Sequence, residues 1–250
     1  MTNSRASLES RFLETVANTD LPDVAQDIGE IFLDTLFEEN GIIKEIPLIK
    51  TLFGLAKAGL NVRDRLFAEK VLRFLGPVSK YSKEDRAEFL KELDPEELNE
   101  VGQYMVLYLD RLDSLQKPAM LGRVFEAYML NKINRNQMLY FSHFIDSVFI
   151  LTWEGYYKAI KAYHDKKGGW PKISRDDALA LEKVWFYEES HKPVERMDSN
   201  SYQVWLKGIE RKLVLTDAGW QFIRIVFQLW PDEDRRSLHR SCLSVELKER

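Results

Sequence analysis

The stretch from Ile46 to Leu75 reads IPLIKTLFGLAKAGLNVRDRLFAEKVLRFL, and its apolar residues recur every three or four positions, which is the period of a helix and not of a strand. Placed at about 100° per residue, Leu48, Ile49, Leu52, Phe53, Leu55, Ala56, Gly59 and Leu60 fill an arc of roughly 160°, with Lys50 and Lys57 on the opposite side. Residues 42–60 therefore read as an amphipathic helix. Pro47 suits its first position, where the missing N–H has no intrahelical partner, and Gly59 suits the left-handed residue past its end. Asn61 with Asp64 then starts a second helix, closed by Gly76-Pro77. Its predicted buried stripe is Val62, Leu66, Phe67, Val71, Phe74 and Leu75, with Arg63, Arg65, Lys70 and Arg73 outside it. Ahead of both, Ile28, Ile31, Phe32, Thr35 and Leu36 mark a helix stopped by Asn40-Gly41.

An apolar face this wide is ordinary for a helix in a globular core. Its other uses define a candidate interaction face, Leu48, Ile49, Leu52, Phe53 and Leu60, for a protein partner, a second copy or a bilayer surface. On a bilayer, Lys50 and Lys57 would sit at the headgroups. Spanning is a different matter, because Lys44, Glu45, Lys50 and Lys57 interrupt the run of about 20 apolar residues that a span needs. Lys50, Lys57, Arg63, Arg65, Lys70 and Arg73 together form a candidate anion-facing patch, with pairing to Asp64 and Glu69 as the plainer reading.

The chain has 250 residues, 45% hydrophobic and 30% charged, enough to bury a core without staples. A formal charge of -4 disfavours nucleic acid as a partner, since electrostatic capture of phosphates needs a net basic footprint. One cysteine, Cys242, leaves no intrachain disulfide and fits a reducing compartment. The opening MTNSRASLESRFLETV lacks the apolar run of a secretion signal. A cytoplasmic protein is expected, with peripheral attachment at the inner face of the membrane as the alternative.

The expected architecture is mainly α, a multi-helix body with a small C-terminal α+β module. Residues 1–26 read as a flexible or loosely docked arm with weak helical spacing at Leu8, Phe12 and Val16, and 27–165 as a helical domain. Ser82 with Asp85 is a capping pattern, and Asp94-Pro95-Glu96-Glu97 opens a helix with the stripe Leu98, Val101, Met105, Leu109 and Leu112. Leu121, Val124, Phe125 and Tyr128 carry the next stripe. Gln137 to Tyr163 reads as one central, largely buried helix; Asp146 and Glu154 argue against a membrane span. Lys166-Lys167-Gly168-Gly169-Trp170-Pro171 punctuates the chain before a module at 172–230. There Ser174 with Asp177 caps a helix, and 185–188, 202–206 and 211–215 read as short strands. Thr216-Asp217 starts a closing helix, followed by a charged tail at 231–250.

The segment Leu213-Val-Leu-Thr-Asp-Ala-Gly-Trp-Gln-Phe222 resembles the last strand and closing helix of bacterial winged-helix proteins, which implies a winged-helix-like module. The pattern Ile46–Leu75 resembles a widespread group of uncharacterised bacterial proteins linked to mobile elements and phage defence. That resemblance implies a bacterial or phage setting and carries over no catalytic residue.

The residues name no reaction. His143, His164, His191 and His239 are scattered, and only His143 has an acid at helical spacing, Asp146, for which a buried hydrogen bond is the plain account. Asp110 and Asp113 read as a solvated face, and Cys242 has no neighbouring base. No phosphate-cradling or dinucleotide fingerprint follows a strand, and no cofactor, metal site or small-molecule substrate is signalled. The expectation is a non-enzymatic protein that binds another macromolecule.

Overall fold

A computed structural model describes residues 7–19, 46–55, 61–165, 176, 180–181, 187–197, 204–228 and 245–246. The helix expected at 28–36, together with Leu60, Lys57 and Cys242, lies outside the described residues. Packing divides the chain into two compact units, Met1–Asp146 and Ser147–Arg250. The sequence had placed the change of texture later, at Lys166 to Pro171.

The first unit is helical. Its helices are α1 (Leu8–Asn18), α2 (Pro47–Leu55), α3 (Val62–Val78), α4 (Lys83–Glu92), α5 (Pro95–Arg111), α6 (Lys117–Met129) and α7 (Arg135–Ser147). Of the expected caps, those at Asn61, Ser82 and Asp94 form, each accepting from backbone N–H groups two or three residues on, while Ser174 with Asp177 and Gly59 lie outside the described residues. Pro95 stands in the first turn of α5. The α5 stripe is buried at Val101, Met105, Leu109 and Leu112, and α6 buries Leu121, Val124, Phe125 and Tyr128. Phe12, Phe74 and Phe125 form the aromatic centre, with ring centroids 5.4 and 5.5 Å apart.

In the stretch read as an arm, the helical spacing of Leu8, Phe12 and Val16 falls in α1, which buries Phe12, Thr15 and Val16. Three expectations are corrected. The α3 stripe begins a turn late: Val62 is 74% exposed and Leu66 is also exposed, while Ala68, Leu72 and Val78 join Phe67, Val71, Phe74 and Leu75 in the core. Helix α3 also runs through Pro77 to Val78, because a proline in the last turn forfeits one bond without breaking the turns before it. The single helix expected from Gln137 is interrupted at Val148–Phe149, after which α8 (Ile150–Asp165) begins. The carbonyl of Asp146, in the last turn of α7, accepts from Lys117 Nζ at 3.1 Å, a partner supplied by α6.

In the second unit, β1 (Tyr187–Met197) and β2 (Val204–Leu215) pair antiparallel from Tyr187↔Leu215 to Met197↔Val204. A register shift falls between Pro193 and Glu195, where a residue without an N–H interrupts the ladder least. Helix α9 (Asp217–Phe227) follows β2, and β3 (Val245–Glu246) pairs with β2 at Leu213 and Lys212. Thr216 Oγ1 accepts from the N–H of Gly219 at 3.0 Å, as the Thr-x-x-Gly spacing predicts. Trp153 of α8 stacks on Phe222 of α9 at 5.0 Å, and Phe227 packs beside both. None of the described helices is long and apolar enough to cross a membrane.

Candidate functional site

Leu48 and Ile49, the first two residues of the candidate interaction face, are fully buried. Leu52 is half-buried, and Phe53 is described only in its backbone. The Leu48 N–H donates to Thr15 Oγ1 at 3.0 Å, so α1 lies against the start of α2. That part of the face is core, and the reading as an open surface is corrected there.

The candidate anion-facing patch is also divided. Arg63 reaches both carboxylate oxygens of Asp110, at 3.1 and 2.8 Å, and Lys70 Nζ donates to the Asp110 carbonyl at 3.0 Å. These bonds tie α3 to the end of α5. Burial lowers the Lys70 pKa, opposed by the charges of Asp110 and Asp113. Arg73 turns to the buried Glu69 one helical turn earlier, at 2.7 Å. Lys50 and Arg65 are exposed at other points of the surface. The sequence grouped these charges by their sign, whereas the fold distributes them among carboxylates. Asp110 and Asp113 are correspondingly more than a solvated face, since Asp113 holds Lys117 Nζ at 2.8 Å. His143 is exposed, so the buried hydrogen bond expected for it is corrected in its burial, and Asp146 takes Arg111 at 2.9 Å.

What the fold brings together instead is α5 and α7. Glu100 pairs with Arg135 near the start of both helices, and Arg111 pairs with Asp146 near the end of both, so arginine side chains link the two at both ends and they run in the same direction. Glu100, Tyr104, Leu107 and Arg111 fall four, three and four apart, on one stripe of α5. Between the two ion pairs, therefore, the stripe is apolar. Leu107 is 47% exposed, and Tyr104 and Tyr140 of α7 are exposed as well. Tyr140 is backed by Phe144 at 4.6 Å. Beyond the Glu100–Arg135 pair, an open cavity of about 450 Å³ is lined by Asp94, Glu96, Glu97, Asn134, Arg135 and Asn136.

The cavity walls are mostly committed. Asp94 Oδ1 caps α5, Asn134 and Gln137 cap α7 reciprocally, and Glu97 accepts from Tyr128 at 2.7 Å. Burial and the Glu97 hydrogen bond push the Tyr128 pKa up. Tyr81 is pushed up to about 12, first by burial and then by its bond to Glu126. Both phenols thus keep their protons and act as donors. Among the described residues, no three His, Cys, Asp or Glu side chains are grouped to hold a metal. Glu96 and Asn136 can receive a polar or basic side chain, while Tyr104 and Leu107 of α5 offer apolar contact further along the same helix. The sequence showed Tyr104 and Leu107 only as residues outside the core stripe of α5, and nothing local pointed to α7 as their neighbour. No protein-family model, curated protein or solved structure matches the chain.

Proposed function

We propose that this chain is a non-enzymatic bacterial protein that acts in the cytoplasm by binding another protein, through the α5–α7 face. The observation that carries the reading is the pair Tyr104 and Leu107 of α5, exposed on the stripe between two helix-joining ion pairs and next to an acidic cavity. Aromatic and leucine side chains beside a polar rim are the usual composition of a protein interface. A role in phage defence belongs to the proposal and rests on the resemblance of Ile46–Leu75 alone. The test is affinity capture from the native host with wild type, Leu107→Asp and Lys91→Asp. A partner retained by the second variant and lost by the first supports the reading. Turnover of nucleotide or nucleic acid by the purified protein, or a set of captured proteins indifferent to Leu107, rejects it.

A second reading, a winged-helix-like DNA-binding regulator in 172–230, is favoured by the β1–β2 hairpin running directly into the Thr216-capped α9. A mobility shift with steep salt dependence supports it, and no shift at low salt rejects it. A third, a peripheral membrane effector using 42–60, requires α2 to leave α1, because Leu48 and Ile49 are buried.

A further inference from the structure

Helices α1 and α2 satisfy their ends through groups that lie elsewhere in the chain. The first N–H groups of a helix and its last carbonyls have no intrahelical partner. At the end of α1 the Val16 and Thr19 carbonyls accept from Arg86 Nη1 and Nη2 at 2.9 and 2.8 Å. Arg86 belongs to α4 and is 1% exposed. At the start of α2 the Leu48 N–H finds Thr15 Oγ1, whose own proton goes to the Arg11 carbonyl at 2.8 Å. The bonds thus form a chain from α4 through α1 to α2. Packing follows the same order: among the described helices, α1 lies closely along α4, α5 and α2, and the close packing of α2 is against α1. Helix α1 meets α5 over Gly102, where an added Cβ would stand 3.1 Å from Leu13 Cδ1.

We propose that α1 and α2 form one clasp that opens and closes as a cooperative unit, held shut by Arg86, and that its closed state hides the apolar face at Leu48 and Ile49. With Arg86 withdrawn, two carbonyls at the end of α1 lose their buried donors, and α1 loosens. The Thr15 acceptor for α2 goes with it, so α1 does not open without α2. Local openings of this kind involve contiguous cooperative segments and are read by amide exchange. The inference goes beyond the partner reading, since it concerns a different part of the body and neither Tyr104 nor Leu107.

The test is amide exchange by mass spectrometry on the full chain, comparing wild type, Arg86→Met and Thr15→Val. Arg86→Met keeps an unbranched stem and removes the donors, and Thr15→Val removes the acceptor with little change of shape. For Arg86→Met, exchange in 8–18 and 47–55 is expected to rise together by roughly tenfold to a hundredfold, with 62–78 and 117–129 unchanged. For Thr15→Val, exchange in 47–55 is expected to rise by roughly threefold to tenfold, with a smaller rise in 8–18, which Arg86 still holds. Should Arg86→Met fail to fold, Arg86→Lys, which keeps one donor group, takes its place, with 8–18 and 47–55 rising together by a smaller factor. In the Arg86 variant, acceleration confined to one of the two helices, spread evenly over the whole chain, or absent from both overturns the proposal, as does a Thr15→Val response that spares 47–55.

Discussion

Lys117 stands at the first position of α6, where the partial positive charge of a helix start opposes a cation, and it is 0% exposed. Two groups offset this: the Asp113 carboxylate at 2.8 Å, and the Asp146 carbonyl at the partially negative end of α7. Asp113 is half-exposed, so if the lysine is removed its carboxylate can hydrate and only the carbonyl is stranded. Lys117→Met should therefore cost about 1–3 kcal/mol in urea unfolding, short of the loss expected for a fully buried ion pair. No shift in the midpoint would contradict this. Gly122 is constrained more tightly. A Cβ there would stand 2.3 Å from the Phe74 carbonyl oxygen, which is backbone and does not yield as a side-chain tip does. Gly122→Ala should destabilise by about 1–3 kcal/mol or more. Gly54, with nothing within 4 Å among the described residues, should gain about 0.5–1 kcal/mol as alanine. The same urea titration checks both, and equal responses would show that the close approach of α3 and α6 has been misjudged.

At the scale of elements, the features legible beforehand were the local ones. A cap needs a side chain and an N–H two or three residues apart, so Asn61, Ser82, Asp94 and Thr216 could be read directly. Stripes are also local, and those of α5 and α6 were read correctly. The partner of the Asp146 carbonyl and the anchoring of α1 were not, because Lys117 and Arg86 act across 29 and 67 to 70 residues of chain. Val62 and Leu66 were misassigned for a similar reason: periodicity fixes a face but not where the neighbouring helix begins to cover it. The phenols that join helices predict a pH response. Tyr81 and Tyr128 both have folded pKa values raised above 10.0. Their contribution to stability is thus complete below pH 10.0 and is lost as pH rises through the folded values, about 12 for Tyr81. The urea midpoint should fall from about pH 9 to about pH 11, and fall less in a Tyr81→Phe, Tyr128→Phe double variant. An identical slope in that variant would assign the alkaline loss to other groups.

Over the whole molecule, a helical unit ending at Asp146 and a second unit beginning at Ser147 divide the chain, and each carries its own aromatic centre. In the first unit, charged side chains join helices: Arg63 and Lys70 to Asp110, Arg111 to Asp146, Lys117 to Asp113 and Asp146, Arg135 to Glu100. The apolar face that the sequence offered at Leu48 and Ile49 is enclosed by the fold, whereas Tyr104 and Leu107 of α5, between the ion pairs to α7, are exposed. The pattern of single helices revealed the first face. The second depends on which helices become neighbours, which is a property of the tertiary fold. The most direct test places a photo-crosslinking amino acid at Leu107 in the native host, with the same substitution at the exposed Lys91 of α4 as control. The proposed partner surface predicts a discrete adduct from position 107 and none from position 91. No adduct at 107, or the same adducts from both positions, would contradict it.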